Sequence, residues 1–248
     1  MHALDAGAAG RAWAGLAARL PRPQALLMVS AHWETDRAAL TGSAQPETIH
    51  DFGGFPEPLY HIRYPAPGAP AVAARARALL EQAGFEAEID PRRGLDHGAW
   101  SPLLHMYPDA GIPVVQLSVQ SARGAAHHLA LGRALRPLAA EGVLIVGSGH
   151  MTHNLRDRLP GGEAAAPLAY AQAFRDWIDA QLQARDLAAL VGYRAQAPQA
   201  RRAHPSEEHF LPLFVALGAA DDAYRADRVH QGIESGALAM DSYCFDRS

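Results

Sequence analysis

The 248-residue sequence contains a single cysteine, Cys244, and no lysine; all 22 basic residues are arginine. One cysteine excludes a disulfide framework, a cysteine-based zinc finger and a Cys-x-x-Cys redox motif. Without lysine there is no Walker-A phosphate loop, no Schiff-base nucleophile and no lysine-anchored pyridoxal chemistry. Long apolar runs are absent too. Segments such as Leu26–Val29 and Val143–Val146 have the length of buried strands, far short of the roughly 20 residues that cross a bilayer. The formal net charge is −4 and arginine is nowhere concentrated into a stripe, so neither nucleic acid nor a membrane is an expected partner. The first twenty residues mix acid, glycine and arginine without an apolar core; no secretory signal is read there, and the expected compartment is the cytoplasm. What the sequence has in excess is histidine. Thirteen are present, which raises the question of metal or acid–base chemistry.

Periodicity and punctuation divide the chain into alternating strands and helices. Trp13, Leu16 and Leu20 fall at helical spacing, and Pro21-Arg22-Pro23 ends that helix. Strands are expected at 24–31, 85–89, 114–119 and 143–147, and helices at 69–83, 101–107, 125–140 and 167–190. The Gly/Pro/aromatic stretch 48–67 reads as a loop with a short edge strand near 59–64. Ser206 reads as the cap of a helix running to Leu217, and 237–245 as a final strand. This pattern predicts an α/β fold: one domain over residues 1–248, with a central, largely buried mixed sheet flanked by helices. In such sheets ligands bind at the carboxyl ends of the strands.

Two histidine segments follow buried strands directly: Ser30-Ala31-His32-Trp33 and Gly147-Ser148-Gly149-His150-Met151-Thr152-His153. Two others lie in the loops Gly94-Leu95-Asp96-His97-Gly98 and His204-Pro205-Ser206-Glu207-Glu208-His209. On residue type alone, His32 and His209 are candidate metal ligands, with His153 and His97 in the same pocket. There is no His-Glu-x-x-His or other short metal motif, and each histidine taken singly reads equally as an ordinary loop residue. His127 and His128 are expected at a helix surface or boundary, and His61, His105 and His230 in structural roles. His150 is out of phase with His153 and is not expected to face the same ligand. Phe52, Phe55, Trp33 and Trp100 are candidates for lining a mouth that takes a planar substrate, or for packing their own loops.

Taken in order, several segments resemble one known family. They are Ser30-Ala31-His32-Trp33-Glu34-Thr35, His50-Asp51-Phe52-Gly53-Gly54-Phe55-Pro56, Tyr64-Pro65-Ala66-Pro67-Gly68 and Gly94-Leu95-Asp96-His97-Gly98-Ala99-Trp100. Met106-Tyr107-Pro108-Asp109, Pro113–Ser118, Gly147-Ser148-Gly149 with His153-Asn154-Leu155, and Glu208-His209-Phe210-Leu211-Pro212 follow. The chain resembles the DOPA 4,5-dioxygenase-type branch of the class III extradiol ring-cleaving dioxygenases, which also holds the catalytic subunit of protocatechuate 4,5-dioxygenase. The resemblance implies a non-haem metal, iron(II) in active members or zinc as isolated, and a small catechol and O2 as substrates. It implies that His32 and His209 are ligands, that His153 is the pocket acid/base or a further ligand, and that His97 orients the catechol or oxygen. Glu207 and Glu208 fit either a carboxylate ligand or charge compensation at a helix start.

One departure bears on the site. Members of the family begin with a strand ending in His-Gly-Ser-Pro, whose histidine is a metal ligand; here Met1-His2-Ala3-Leu4-Asp5 resembles the residues just after it. His2 is therefore not that histidine; the expectation is a start placed downstream of the true one, the alternatives being a truncated chain or a lost ligand, and the chain as written lacks the family's first strand. The alternatives to a ring-cleaving dioxygenase are a zinc-dependent hydrolase in the same pocket, or a non-catalytic metal-binding homologue. Subunit number is not set by the sequence: Tyr60, Tyr64 and Trp177 suit an interface or local packing.

Overall fold

A computed structural model describes residues 2–247. In chain order it contains α1 (Gly7–Arg19), β1 (Ala25–Glu34), β2 (Ala38–Thr41), α2 (Pro58–His61), α3 (Pro70–Gln82), β3 (Ala87–Asp90), α4 (His97–Met106), β4 (Val114–Val119) and α5 (Gly124–Ala140). Then come β5 (Val143–Ser148), α6 (Ala169–Ala184), α7 (Leu187–Val191), α8 (Tyr193–Gln196), α9 (Ala200–Ala203), α10 (Leu211–Ala219), β6 (Tyr224–His230), β7 (Ile233–Glu234), β8 (Leu238–Ala239) and β9 (Ser242–Arg247).

Five strands form the central sheet in the order β3-β2-β4-β1-β5. β4 and β5 run parallel to β1, β2 runs parallel to β3, and β2 meets β4 antiparallel at Leu40 and Leu117. The apolar run Leu26–Val29 is fully buried, as a strand covered on both faces must be. Its side chains alternate: Leu27 and Val29 join a cluster with α3 and α5, while Leu26 and Met28 join another with α1 and α4. A third apolar cluster, centred on Phe174, Phe210 and Phe214, packs α6 and α10 against the C-terminal strands. The mixed, buried α/β sheet expected from the pattern is what forms.

Several local expectations are corrected. β2 was not anticipated; Ala38-Ala39-Leu40-Thr41 is short and weakly apolar, and its pairing to β3 and β4 holds it. The segment near 59–64 is not an edge strand but the one-turn helix α2, with Pro58 in its first turn. The helix over 167–190 is two, broken where Arg185 takes φ 57°, a left-handed helix end. The expected last strand divides into β8 and β9, which pair with β7 and β6 in two small sheets. α10 starts at Leu211 with Pro212 in its first turn, so Ser206 caps nothing there; its hydroxyl bonds Glu208 3.0 Å away. His128 is buried, not at a surface. Its Nδ1 lies 2.7 Å from the Gly124 carbonyl and its Nε2 accepts the Gln120 amide at 3.1 Å. Tyr64 is buried with its hydroxyl on the Tyr107 carbonyl, and Trp177 packs against the third cluster.

β5 is an edge strand, with a strand neighbour on one side only among the described residues. A cavity of about 500 Å³ runs along it, walled by α1, α10 and β9, and opens at the strand's carboxyl end onto five histidines. Among the described residues no helix is long and apolar enough to cross a membrane.

Candidate active site

Asp96 organises one side of the site. It is fully buried, caps α4 by accepting the Ala99 amide at 3.2 Å, and accepts the Ser30 hydroxyl at 2.7 Å. It also takes Arg93 at 3.1 Å and the Gln116 side-chain amide. A buried carboxylate needs such donors. By gathering them it joins the end of β1 to the start of α4 and sets His97 as that helix's first residue. His97 then lies beside His32, ring centroids 3.8 Å apart. Asp51, from the loop before α2, accepts the His97 amide at 2.8 Å and meets its Nδ1 at 2.9 Å. That bond places the proton on Nδ1 and leaves His97 Nε2 as an acceptor. Burial pushes Asp51 upward, but the hydrogen bonds from His97 outweigh it and hold the carboxyl below its ordinary range.

The other side is the loop after β5. His150 donates its amide to the His209 carbonyl at 2.8 Å, and His153 donates to the Ala203 carbonyl at 2.9 Å. Thr152 bonds the Ala237 carbonyl at 2.7 Å, and His204 Nε2 bonds the Met151 carbonyl at 2.9 Å. The rings of His153 and His209 stack at 3.5 Å, and His150 Nδ1 is 3.2 Å from His209 Nδ1. Gly147 and Gly149 do not adopt left-handed backbone; they are needed for proximity. A Cβ on Gly149 would overlap the His209 carbonyl, and one on Gly147 that of Pro212. Gly149→Ala is therefore expected to lower unfolding stability by about 1–3 kcal/mol, readable as a lower denaturant midpoint. An unchanged midpoint would show that this approach is slack.

Two groups of possible ligands result: His150, His153 and His209, and His32, Asp51 and His97, each with its atoms within 4.8 Å of one another. They adjoin, for the rings of His32 and His209 are 4.9 Å apart. The first group fits a divalent transition metal. Two nitrogens each about 2.1 Å from one ion lie about 3.0 Å apart at an octahedral right angle and about 3.4 Å apart at a tetrahedral one; the His150–His209 separation falls between. Only a neutral imidazole ligates, and all three are shifted toward the neutral form. Burial, reinforced by the neighbouring histidines, holds His150 and His209 well below the ordinary range. Burial and His97 push His32 to about 4. Burial lowers His153 too, with Glu208 opposing and Arg158 adding to the effect.

The structure thus brings His32, His97, His153 and His209 to one cavity. It adds His150, whose exclusion by phase does not survive because 149–153 is an irregular loop, and Asp51, which sequence separation hid. Phe55 lines the cavity, and Phe52 lies 5.4 Å from His97. Trp33 and Trp100 lie elsewhere. Trp33 is buried beneath Arg93, and Trp100 is in the core with its indole N–H on the Ile49 carbonyl. Glu207 is drawn away by the Tyr193 hydroxyl at 2.7 Å and by Arg194 at 3.2 Å. His2 reaches the cavity wall, where its Nε2 pairs with Glu234 at 2.9 Å.

Histidines gathered around a cavity at the carboxyl end of the sheet make a candidate metal site in an α/β fold, and comparison with known proteins specifies the class. The profile of the catalytic LigB subunit of aromatic ring-opening dioxygenase matches residues 8–245, and the chain belongs to that family. It is 45% identical over 225 residues to the 4,5-DOPA dioxygenase extradiol of Beta vulgaris, covering 90% of this chain and 83% of that protein. The protein of the same name from Escherichia coli (strain K12) is 42% identical over 244 residues, 97% of this chain and 89% of its own. A crystal structure of an uncharacterized Escherichia coli K12 protein superposes with a TM-score of 0.81 at 38% identity, covering 94% of this chain and 91% of that one. This chain is thus a homologue of extradiol ring-cleaving dioxygenases.

Proposed function

We propose that this protein opens the ring of a small, DOPA-like catechol next to its diol, using O2 and a non-haem iron(II). The observation that carries the reading is the set of imidazoles gathered on one cavity, in a chain homologous to DOPA dioxygenases over most of its length. His150, His153 and His209 would hold the ion, with His32 adjoining them. Iron(II), when bound, supplies the electron chemistry by which dioxygen reacts with an aromatic ring.

The chain's own groups do the rest. With Nδ1–H donated to Asp51, His97 turns Nε2 to the pocket, where it accepts a phenolic proton from the catechol and later returns it. Phe55, and Phe52 beside His97, offer flat apolar surface to an aromatic ring. Asp51→Asn should lower kcat by about 10–100-fold, the usual cost of removing a group that orients such a histidine; a rate equal to wild type would remove His97 from this role.

The test of the function is anaerobic loading with iron(II), followed by catechol and oxygen. Oxygen uptake with a yellow ring-opened product is expected. No uptake with any catechol, together with ester or amide cleavage by the zinc-loaded protein, would replace this reading with a hydrolase. Absence of metal binding would point to a non-catalytic homologue.

A further inference from the structure

Among the described residues the cavity's charged groups have partners, with one exception. Glu234 pairs with His2, and Asp241 with Arg228. Arg158 also lines the cavity and its charge is felt by His153, yet among the described residues it makes no ion pair. The acid next to it in sequence, Asp157, is taken by Arg202 at 2.9 Å and by the Asn154 amide at 3.2 Å. An arginine on a cavity wall with no internal acid is a ready receptor for an anionic group.

Its surroundings narrow the ligand. Four large apolar side chains of the described residues are exposed, Leu4, Phe55, Leu155 and Leu159; Phe55 and Leu155 lie on this cavity with Arg158. Apolar surface left open on a cavity that also carries a guanidinium suits an aromatic ring with an acidic arm. Glu208 is the opposing charge felt by His153, and its Oε1 takes the Ser206 hydroxyl. It repels a carboxylate, so the arm must lie on the Arg158 side.

We propose that Arg158 is a specificity-determining residue that anchors the carboxylate of the substrate's side chain, making anionic catechols the preferred substrate class. This rests on the ring-cleavage reading above. Arg158 is exposed and its side chain bonds no other described residue, so its replacement leaves the fold intact.

The experiment compares 3,4-dihydroxyphenylpropionate with the neutral 4-methylcatechol in the iron-loaded wild type, Arg158→Gln and Arg158→Lys. For Arg158→Gln, KM for the acid should rise about tenfold, the worth of one charge-assisted hydrogen bond at a partly solvated site. Its kcat, and both constants for the neutral catechol, should stay within about twofold. Arg158→Lys should recover most of the loss, and added salt should shrink the wild-type preference. An unchanged KM for the acid, or equal shifts for both catechols, would overturn the proposal. Calorimetric titration of the acid into metal-free protein decides the matter without turnover: binding weakened in Arg158→Gln supports the anchor, and binding that is absent or equal in the two proteins overturns it. Were the wild type to cleave no catechol, the ring-cleavage reading would fail while this titration still reported on Arg158.

Discussion

In His209→Ala, affinity for a divalent metal is expected to fall by at least about 100-fold, since removing a group that merely orients a ligand costs about 10–100-fold. His209 is the ring shared by the whole site: it stacks on His153, meets His150 at 3.2 Å and faces His32. No other single replacement opens all three relations at once. Ring cleavage should vanish with the metal, whereas His127→Ala, far from the cavity on α5, should change neither. Equilibrium dialysis with metal analysis is the measurement. Stoichiometric metal retained by His209→Ala would move the ion to the His32, Asp51 and His97 group. His153→Ala separates two roles in the same assay: metal lost marks a ligand, and metal kept with turnover lost marks a proton carrier.

The second large effect is acid lability of the metal-free protein. Burial pushes His128 to about 4 and His204 to about 3, and both side chains are completely enclosed. Each has a folded value below its unfolded 6.5. As pH falls through 6.5 the unfolded chain takes up protons that the folded chain refuses, so stability is lost on acidification. At about pH 5 each of these two histidines should cost about 2 kcal/mol, together a substantial part of a domain's usual 5–15 kcal/mol. His32, His150, His153 and His209, lowered as well, add to this in the same direction. His2 acts oppositely, because its bond to Glu234 raises it and so favours the folded state below its unfolded value. Denaturant unfolding at about pH 7.5, 6 and 5 should show the free energy falling steeply over the last two points. A flat profile would mean that these histidines are already solvated and protonated in the fold.

What could be read in advance follows from how local each signal is. β1, β4 and β5 announce themselves because a strand buried on both faces needs an unbroken apolar run. β2 has no such run, and its identity lies in pairings with β3 and β4 made across long stretches of chain. His32, His97, His153 and His209 were legible because each stands next to a strand end or within a recognisable motif. His150 is hidden because a phase argument presumes a regular element, and the loop after β5 is not regular. The Asp51–His97 bond joins residues 46 apart, with nothing in either neighbourhood to couple them. Asp96 left a local trace, an Asp three residues before the Ala99 amide that it caps, but its link to Ser30 and Gln116 is visible only in three dimensions.

The side of β5 that has no strand neighbour among the described residues has a consequence for how the molecule behaves in company. An unpaired strand edge is adhesive: its free amides and carbonyls accept any extended backbone that reaches them. Here that edge forms one wall of the cavity that ends at the histidines, so what settles against it also closes the approach to them. Colloidal behaviour and reactivity are thereby tied to one strip of backbone. Conditions that favour edge-to-edge association should silence the site without touching a single histidine.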